Sequence, residues 1–371
     1  MDATTDAHSA SHVRAPLART PRVAIWEVTR ACDLRCRHCR ACAIPDRDPE
    51  ELTTAEAFDV IDQVAELAPG ALVLTGGDPL KRPDLLSIVR VAVRRGIPVA
   101  LAPSVTPLLT LDALRRLAAA GAGRIALSLD GSDAAMHDGM RGTPGAFAAT
   151  LRAIAGVRVT GIPLQLNTSL DATTITCLSR TARLVAEARP VLWSVFFVLP
   201  VGRAGADAQL DAATCERTFH FLYDWSERTG IPVKTTAAPA YRRVVLEREA
   251  ARARSGATRR RVPWAANDGN GVVFISHTGD VQPSGFLPLT AGNVRHGRLA
   301  HIYRTSQLFR ALRDPLLLRG KCGACEFRLV CGGSRARAFA TSGDAFAEDA
   351  ACVHQPPRMR AVTRAEATAP A

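Results

Sequence analysis

The chain holds 371 residues, 47% of them apolar, and carries a formal charge of +12. That length and composition allow a sizeable buried core in one large domain with a smaller companion. No apolar run reaches the ~18 residues of a bilayer-spanning helix, and residues 1–20 are small, polar and basic with no signal-peptide core, so a cytoplasmic protein with no membrane partner is expected.

The positive charge is carried almost wholly by arginine, with lysine only at Lys81, Lys234 and Lys321. Arg259, Arg260 and Arg261, with nearby Arg252 and Arg254, have no interleaved aromatics. They read as solvated faces rather than a nucleic-acid stripe, while an acidic small substrate is compatible with the charge. Ten cysteines in a reducing compartment point to metal or redox chemistry rather than disulfides.

Val23–Val28 reads as a short strand, followed by a cysteine-bearing loop, Arg30–Cys42. Thr54–Leu67 has helical spacing and a Thr-Thr-Ala-Glu start that suits a capping box. Ala71–Leu74 is then a buried strand ending at Gly76-Gly77. The alternation continues with helix Pro83–Arg95, strand Val99–Ala102, helix Leu111–Ala120 and strand Arg124–Leu129. Helix Gly145–Val157, strand Leu164–Ser169, helix Ile175–Ala188, strand Leu192–Val198 and helix Ala212–Thr229 complete it.

Six strand–helix units in a row require a parallel sheet, and right-handed crossovers curl it one way. The expected fold is α/β, a partial (β/α)6 barrel of the TIM type over residues 21–240. Active residues of such barrels lie at the C-terminal ends of strands, where the cysteine loop, Gly76-Gly77 and Asp130-Gly131 fall. Residues 241–259 read as a linker helix, Gly269–Val281 as a hairpin turning through His277 to Asp280, and 260–358 as a small loop-rich domain. Residues 1–20 and 359–371 are expected to be disordered.

Cys32-x3-Cys36-x2-Cys39 places three thiolates in one tight loop, a set that can hold three irons of a cubane and leave the fourth open. Zinc with Cys42 or His38 as fourth ligand is the alternative, although zinc usually takes paired knuckles. Trp26 to Cys39, with His38 in the aromatic slot before the third cysteine, resembles the signature of the radical S-adenosylmethionine (SAM) superfamily. Thr75-Gly76-Gly77-Asp78-Pro79 resembles its GGEP loop, with Asp in place of Glu.

The resemblance implies that the 76–78 carbonyls and Asp78 receive the SAM amino group. Ser128-Leu129-Asp130-Gly131 and His137-Asp138-x2-Arg141-Gly142 resemble the fourth-strand region of members with auxiliary clusters, which implies that Ser128 and Arg141 bind the SAM carboxylate. Asn167 facing the ribose and Val201-Gly202-Arg203 lining the adenine are carried over in the same way.

Cys322-x2-Cys325-x5-Cys331 and Cys352 resemble the C-terminal SPASM domain, which makes the smaller domain an iron–sulfur one. Ser284 and Ser334 stand where a full domain would place further cysteines. The resemblance therefore implies one auxiliary four-iron four-sulfur cluster with every iron ligated, suited to passing electrons, beside the SAM-binding cluster. Cys177 and Cys215 read as small core residues and Cys42 carries no role. His220 reads as a packing residue, while His277 in its turn is either displayed for function or merely solvated.

The layout looks most like the enzymes that trim propionate side chains in haem and haem d1 biosynthesis. The activity this resemblance implies is that of an oxidoreductase that cleaves SAM to a 5′-deoxyadenosyl radical and oxidises or decarboxylates a carboxylate-bearing tetrapyrrole, cofactor or natural-product precursor. Its partners would be a small-molecule substrate and an electron donor such as flavodoxin or ferredoxin, with no nucleic acid. A maturase acting on a short peptide is the second reading, against which residues 1–20 are too short for a leader-binding domain. A non-catalytic electron carrier or zinc module is the third.

Overall fold

The computed structural model describes residues 19–256, 258, 266–357 and 359. The Arg259–Arg261 run and nearly all of the two segments expected to be disordered lie outside the described residues. Alternation dominates the first part: β1 (Val23–Glu27), α1 (Thr54–Leu67), β2 (Ala71–Thr75), α2 (Leu85–Arg94), β3 (Val99–Leu101), α3 (Leu111–Ala119) and β4 (Arg124–Ser128). There follow α4 (Ala134–Arg141), α5 (Ala146–Thr160), β5 (Leu164–Leu170), α6 (Leu178–Ala188), β6 (Leu192–Phe197), α7 (Ala212–Thr229), β7 (Val233–Thr236) and α8 (Tyr241–Arg254). The last third holds β8 (Val272–Ile275), β9 (Asp280–Gln282), β10 (Gly292–Asn293), α9 (Leu299–Thr305), α10 (Gln307–Arg313), α11 (Gly320–Ala324) and α12 (Arg335–Ser342).

Local chemistry fixes several of these ends. Thr53 caps α1 as a full capping box: its hydroxyl accepts from Glu56 N at 3.3 Å and the Glu56 carboxylate accepts from Thr53 N at 2.7 Å. One sheet runs in the order β10-β9-β8-β1-β2-β3-β4-β5-β6-β7. β1 to β7 are parallel in chain order, as six strand–helix units demand. β8 pairs in parallel with β1, Val23 opposite Val272 and Trp26 opposite Ile275. The C-terminal third thus completes the barrel sheet on its β1 side rather than standing apart from it.

Side chains on alternate positions of each strand separate core from interior. Outward residues such as Trp26, Leu72, Leu74, Leu127, Leu166 and Trp193 are fully buried under the helices. Trp193 meets Trp225 of α7 edge-on at 4.6 Å and donates its indole N–H to Thr168 at 2.9 Å. Inward positions hold small residues, among them Ala71, Ala100, Ala126, Ser128 and Ser194. Barrel interiors are ordinarily filled by branched apolar side chains, so these truncated ones leave a hollow of about 990 Å³.

Short elements departed from the expected alternation. α4 contains Gly139 and β7 is only Val-Lys-Thr-Thr, so neither has a periodic signal; both are set by neighbours. The 299–313 stretch, expected as loop, forms two seven-residue helices pinned by the buried ring pair Tyr303 and Phe309, 5.1 Å apart. Among the described residues, no helix is long and apolar enough to cross a membrane.

Because β8 covers the β1 edge, a chain stopped after residue 258 leaves that edge and its apolar flank unpaired. Gel filtration of this fragment is expected to show aggregate. A monodisperse fragment would show that the hairpin is dispensable for the barrel.

Candidate active site

Residues 28–53 leave the C-terminal end of β1 as a long loop and return to α1. Arg82, fully buried, clamps both ends, donating to Val28 O at 3.0 Å and Thr53 O at 3.3 Å while pairing with Asp84 at 2.7 Å and lying 5.7 Å from the Trp26 ring. Buried Glu51 holds the loop from within, accepting from the Thr29 hydroxyl at 2.5 Å and Arg30 N at 3.1 Å. From the C-terminal hairpin, buried His277 bridges Glu27 at 3.0 Å and Asp48 at 3.3 Å, which makes it a structural residue rather than a displayed one.

The loop lies directly on the turn after β2. Gly77 N donates to Thr29 O at 2.8 Å and Asp78 N to Ala31 O at 2.6 Å. A Cβ on Gly76 would collide with Thr29 O, and one on Gly77 would sit 2.5 Å from Arg30 O and closer still to Ala31 O. Only glycine lets the two backbones approach this far. Cys32, Cys36 and Cys39 face the hollow, and so do Gly76 and Gly77.

Asp78 does not face it. Its side chain is fully buried, accepting from the Thr106 hydroxyl at 2.6 Å and Leu80 N at 3.1 Å. Burial raises its carboxyl above the ordinary value, partly offset by these hydrogen bonds.

Ser128 and Asn167 are register partners on β4 and β5, and both line the hollow with His137 and Arg141. The Asn167 side-chain Oδ1 accepts from Gln165 Nε2 at 2.7 Å. Arg141, at the end of α4, forms a close ion pair with Asp130 and points Nη1 at Cys36 Sγ, 3.7 Å away. Burial alone would raise the Asp130 carboxyl, but Arg141, His38 and His137 hold it below its ordinary value. Burial pushes His38 and His137 down to about 4, so both imidazoles stay neutral. Val201 packs beside this region rather than lining it; Arg203 N donates to Cys39 O at 3.0 Å, and a Cβ on Gly202 would strike the Cys39 and Arg40 carbonyls.

Cys322, Cys325, Cys331 and Cys352 surround a second, small cavity bordered by Ala240 and Arg243. Backbone N–H groups of Asp349, Phe327 and Gly333 each point at a sulfur, of Cys322, Cys325 and Cys331 respectively, at 3.4 Å. The frame is the Arg335-Ala336-Arg337 segment. Arg335 is buried, donating to Ala345 O at 2.9 Å, Ala347 O at 2.7 Å and Cys322 Sγ at 3.6 Å; Arg337 pairs with buried Asp349 at 3.2 Å. The two serines in expected cysteine positions have backbone duties, Ser334 capping α12 at Arg337 N (3.1 Å) and Ser284 accepting from Phe286 N (3.2 Å).

Residues 26–175 match the sequence profile of the radical SAM superfamily. The AdoMet-dependent heme synthase of Methanosarcina barkeri is 38% identical over 344 residues, covering 92% of this chain and 98% of that relative. This chain belongs to the radical SAM superfamily. The pre-heme d1 synthase of Dinoroseobacter shibae is 29% identical over 90% of this chain and 86% of its own. The fold is shared with Streptococcus suis SuiB bound to its precursor peptide SuiA, at a TM-score of 0.69 and 14% identity over 94% of this chain and 80% of that one. As a radical SAM protein the chain is an enzyme that uses SAM and four-iron four-sulfur chemistry.

The residues present fit such groups. A tetrahedral zinc ion, with Zn–S of about 2.3 Å, draws its thiolates to within roughly 4 Å of one another. Among the described residues neither cysteine set brings three sulfurs within 4.8 Å of one another; the three ligand atoms that lie so close are the Cys325 sulfur, a Glu326 carboxylate oxygen and a His354 ring nitrogen. A cubane spreads its thiolates over separate irons and does not require so close an approach. Burial pushes the free Cys331 thiol up to about 12 and Cys325 up to about 11, which suits ligands that ionise on a metal rather than nucleophiles. Around the hollow, Arg141 Nε, His38 Nδ1 and Ser194 Oγ are buried without a hydrogen-bond partner, polar capacity that a bound cofactor could satisfy.

Sequence reasoning missed Arg82, Glu51 and Thr106, which hold the site from behind, and Ser104, which lines the hollow. Ser104 donates to Gly77 O at 2.7 Å and accepts from the Cys32 thiol at 3.5 Å; no motif marks it. His220 is 44% exposed and 3.6 Å from Glu216, so it is not a packing residue. Cys177 and Cys215 are buried, as core residues should be.

Anaerobically reconstituted enzyme is expected to bind about eight irons, as two cubanes, and Cys36→Ala about half of that with no 5′-deoxyadenosine formed. Stoichiometric zinc in place of iron would contradict this. Gly77→Ala should lose iron to a similar degree: overpacking costs about 1–3 kcal/mol even where neighbours can shift, and here the colliding atoms are backbone. Iron analysis and the visible absorption of the variant check it.

Proposed function

We propose that this chain removes the carboxyl carbon of propionate side chains on a tetrapyrrole, an oxidative decarboxylation within the haem-forming branch of the superfamily. The observation that carries the reading is the hollow barrel. Its roughly 990 Å³ stand at the upper end of the ~300–1,000 Å³ typical of ligand sites, with room for a large ligand beside SAM. The reading is supported in sequence by 38% identity to a heme synthase over 92% of the chain. The likeness to peptide-bound SuiB, at 14% identity, concerns the fold alone.

In this assignment Cys32, Cys36 and Cys39 hold the SAM-binding cluster, and the Gly76-Gly77 backbone meets the SAM amino group. Ser128 and Arg141 meet its carboxylate, Asn167 its ribose, and the 201–203 segment adjoins its adenine. When bound, the cluster and SAM supply the 5′-deoxyadenosyl radical. The neutral His38 and His137 leave Arg141 as the cation of that corner, and its unpartnered Nε is the free donor. Asp78 acts at one remove, fixing the turn from behind through Thr106.

The net change on substrate is loss of one hydrogen atom, one CO2 and one electron per propionate, leaving a vinyl group. The hydrogen goes to the deoxyadenosyl carbon. We assign the electron to an auxiliary four-iron four-sulfur cluster on Cys322, Cys325, Cys331 and Cys352. The first turn of α8 walls off both cavities, with Arg242 on the hollow and Arg243 on the cysteine side, so the path between the sites is short in chain terms. A flavodoxin- or ferredoxin-type protein is the proposed external donor.

Holoenzyme given SAM, reduced flavodoxin and an iron porphyrin bearing four propionates is expected to release 5′-deoxyadenosine and porphyrins lighter by the elements of formic acid per reacted group. Mass spectrometry reads both. SAM cleavage with an unchanged porphyrin, alongside modification of a peptide, would instead favour a maturase.

A further inference from the structure

The hollow has a second end. Arg22 immediately precedes β1, Arg124 opens β4 and Lys234 is the second residue of β7, so all three line the hollow at the N-terminal ends of parallel strands, opposite the cysteines. Arg242 borders the same space but directs its guanidinium to the carbonyls of Val330 and Ala266. These cations feel one another. Desolvation inside the barrel, then Arg242 and Arg124, hold the Lys234 ammonium below its ordinary value. Burial pushes Arg242 down to about 10, with Arg22 adding to the effect against Cys331 and Asp268.

Among the described residues no carboxylate pairs with Arg22, Arg124 or Lys234. Among the described residues, Asp268 is the acidic side chain on the wall of the hollow, and it accepts from Ala336 N at 3.0 Å. Arg22, Arg124 and Lys234 have no ion pair with any described residue. Arg22 and Lys234 are exposed to the hollow and Arg124 is half-buried, so all three remain hydrated, and three like charges turned into one cavity attract an anion that enters it.

We infer that Arg22, Arg124 and Lys234 form an anion subsite that takes the carboxylates on the far edge of the substrate while another carboxylate-bearing arm reacts at the cysteine end. The inference rests on the tetrapyrrole reading above and names the residues that would select it. Scale supports it. Arg124 and Ser128 share the inward face of β4, and four residues of strand span about 13 Å at ~3.3 Å each. SAM held near Ser128 cannot bring its own carboxylate there, whereas a broad, rigid polycarboxylate reaches both ends. Guanidinium and ammonium groups also suit carboxylates better than neutral edges.

The test is equilibrium binding to SAM-loaded holoenzyme, read by tryptophan fluorescence and porphyrin absorbance, with the four-propionate iron porphyrin and its tetramethyl ester as probes. The ester is expected to bind at least about tenfold more weakly, and the double variant Arg124→Gln/Lys234→Gln to bind the acid about a hundredfold more weakly, as for lost charged hydrogen bonds. In turnover the variant should raise KM more than it lowers kcat, and Lys234→Arg should restore most of the affinity. Iron content and melting temperature report folding; should the double variant fail to fold, the single variants are each expected to lose about tenfold. Wild-type binding and turnover, with equal affinity for the ester or undiminished affinity in the folded variants, would overturn the subsite and leave the functional reading standing. Absence of porphyrin binding by the wild type would overturn both.

Discussion

The close approach of two backbones governs this site. Gly76 and Gly77 lie against the carbonyls of Thr29, Arg30 and Ala31 so tightly that a single Cβ has no room. That contact fixes the cysteine loop relative to β2 and turns three sulfurs towards the hollow. Everything behind it serves to keep the loop from lifting. Arg82 joins its two ends, Glu51 fills its polar interior, and Leu52 N reaches across to His277 O at 2.9 Å. A loop of this length would ordinarily be mobile and polar; here buried charged groups with satisfied hydrogen bonds hold it.

The second constraint is what the barrel lacks. Small inward residues cost packing contacts that a filled barrel would gain, so stability has to come from the outer layer. There Trp26, Trp193 and the leucines of β2 and β4 lie fully buried beneath the helices. The C-terminal third contributes to that stability directly, since β8 extends the sheet at β1 and His277 reaches the cysteine loop. The C-terminal third and the cysteine loop are therefore joined through β1 and through His277.

The repeating units were legible because strand and helix periods differ and several helices carry a side-chain cap, as Thr53 does for α1, Thr110 for α3 and Asp211 for α7. The cysteine loop and the glycine pair were legible because their chemistry demands particular residue types at fixed spacing. Short elements were not: β7 and the two seven-residue helices after Leu299 exist through tertiary contact, which leaves no local period. Asp78 shows the other limit. Its position in the motif suggested a ligand, but the chain direction at the turn carries its side chain into the wall, where Thr106 meets it. Arg82 and Glu51 lacked any motif because their partners are mostly backbone atoms, which one sequence cannot display.

The serines at 284 and 334 bear on how many clusters the C-terminal part can serve. Each is buried and engaged with nearby backbone N–H groups, so neither position is merely vacant of a thiol. Both hydroxyls serve as a turn or helix cap, and Gly285 brings the backbone beside Arg40 and Phe274 at the rim of the hollow. Arg40 stacks at 4.8 Å from Phe274 and pairs with Glu27 at 2.8 Å. An aromatic rim, with Arg40 held between Phe274 and Glu27, thus borders the hollow beside Ser284. The cysteines at 322, 325, 331 and 352 adjoin the first turn of α8, where Arg243 borders their cavity and Arg242 borders the hollow, so one helix end stands between the two.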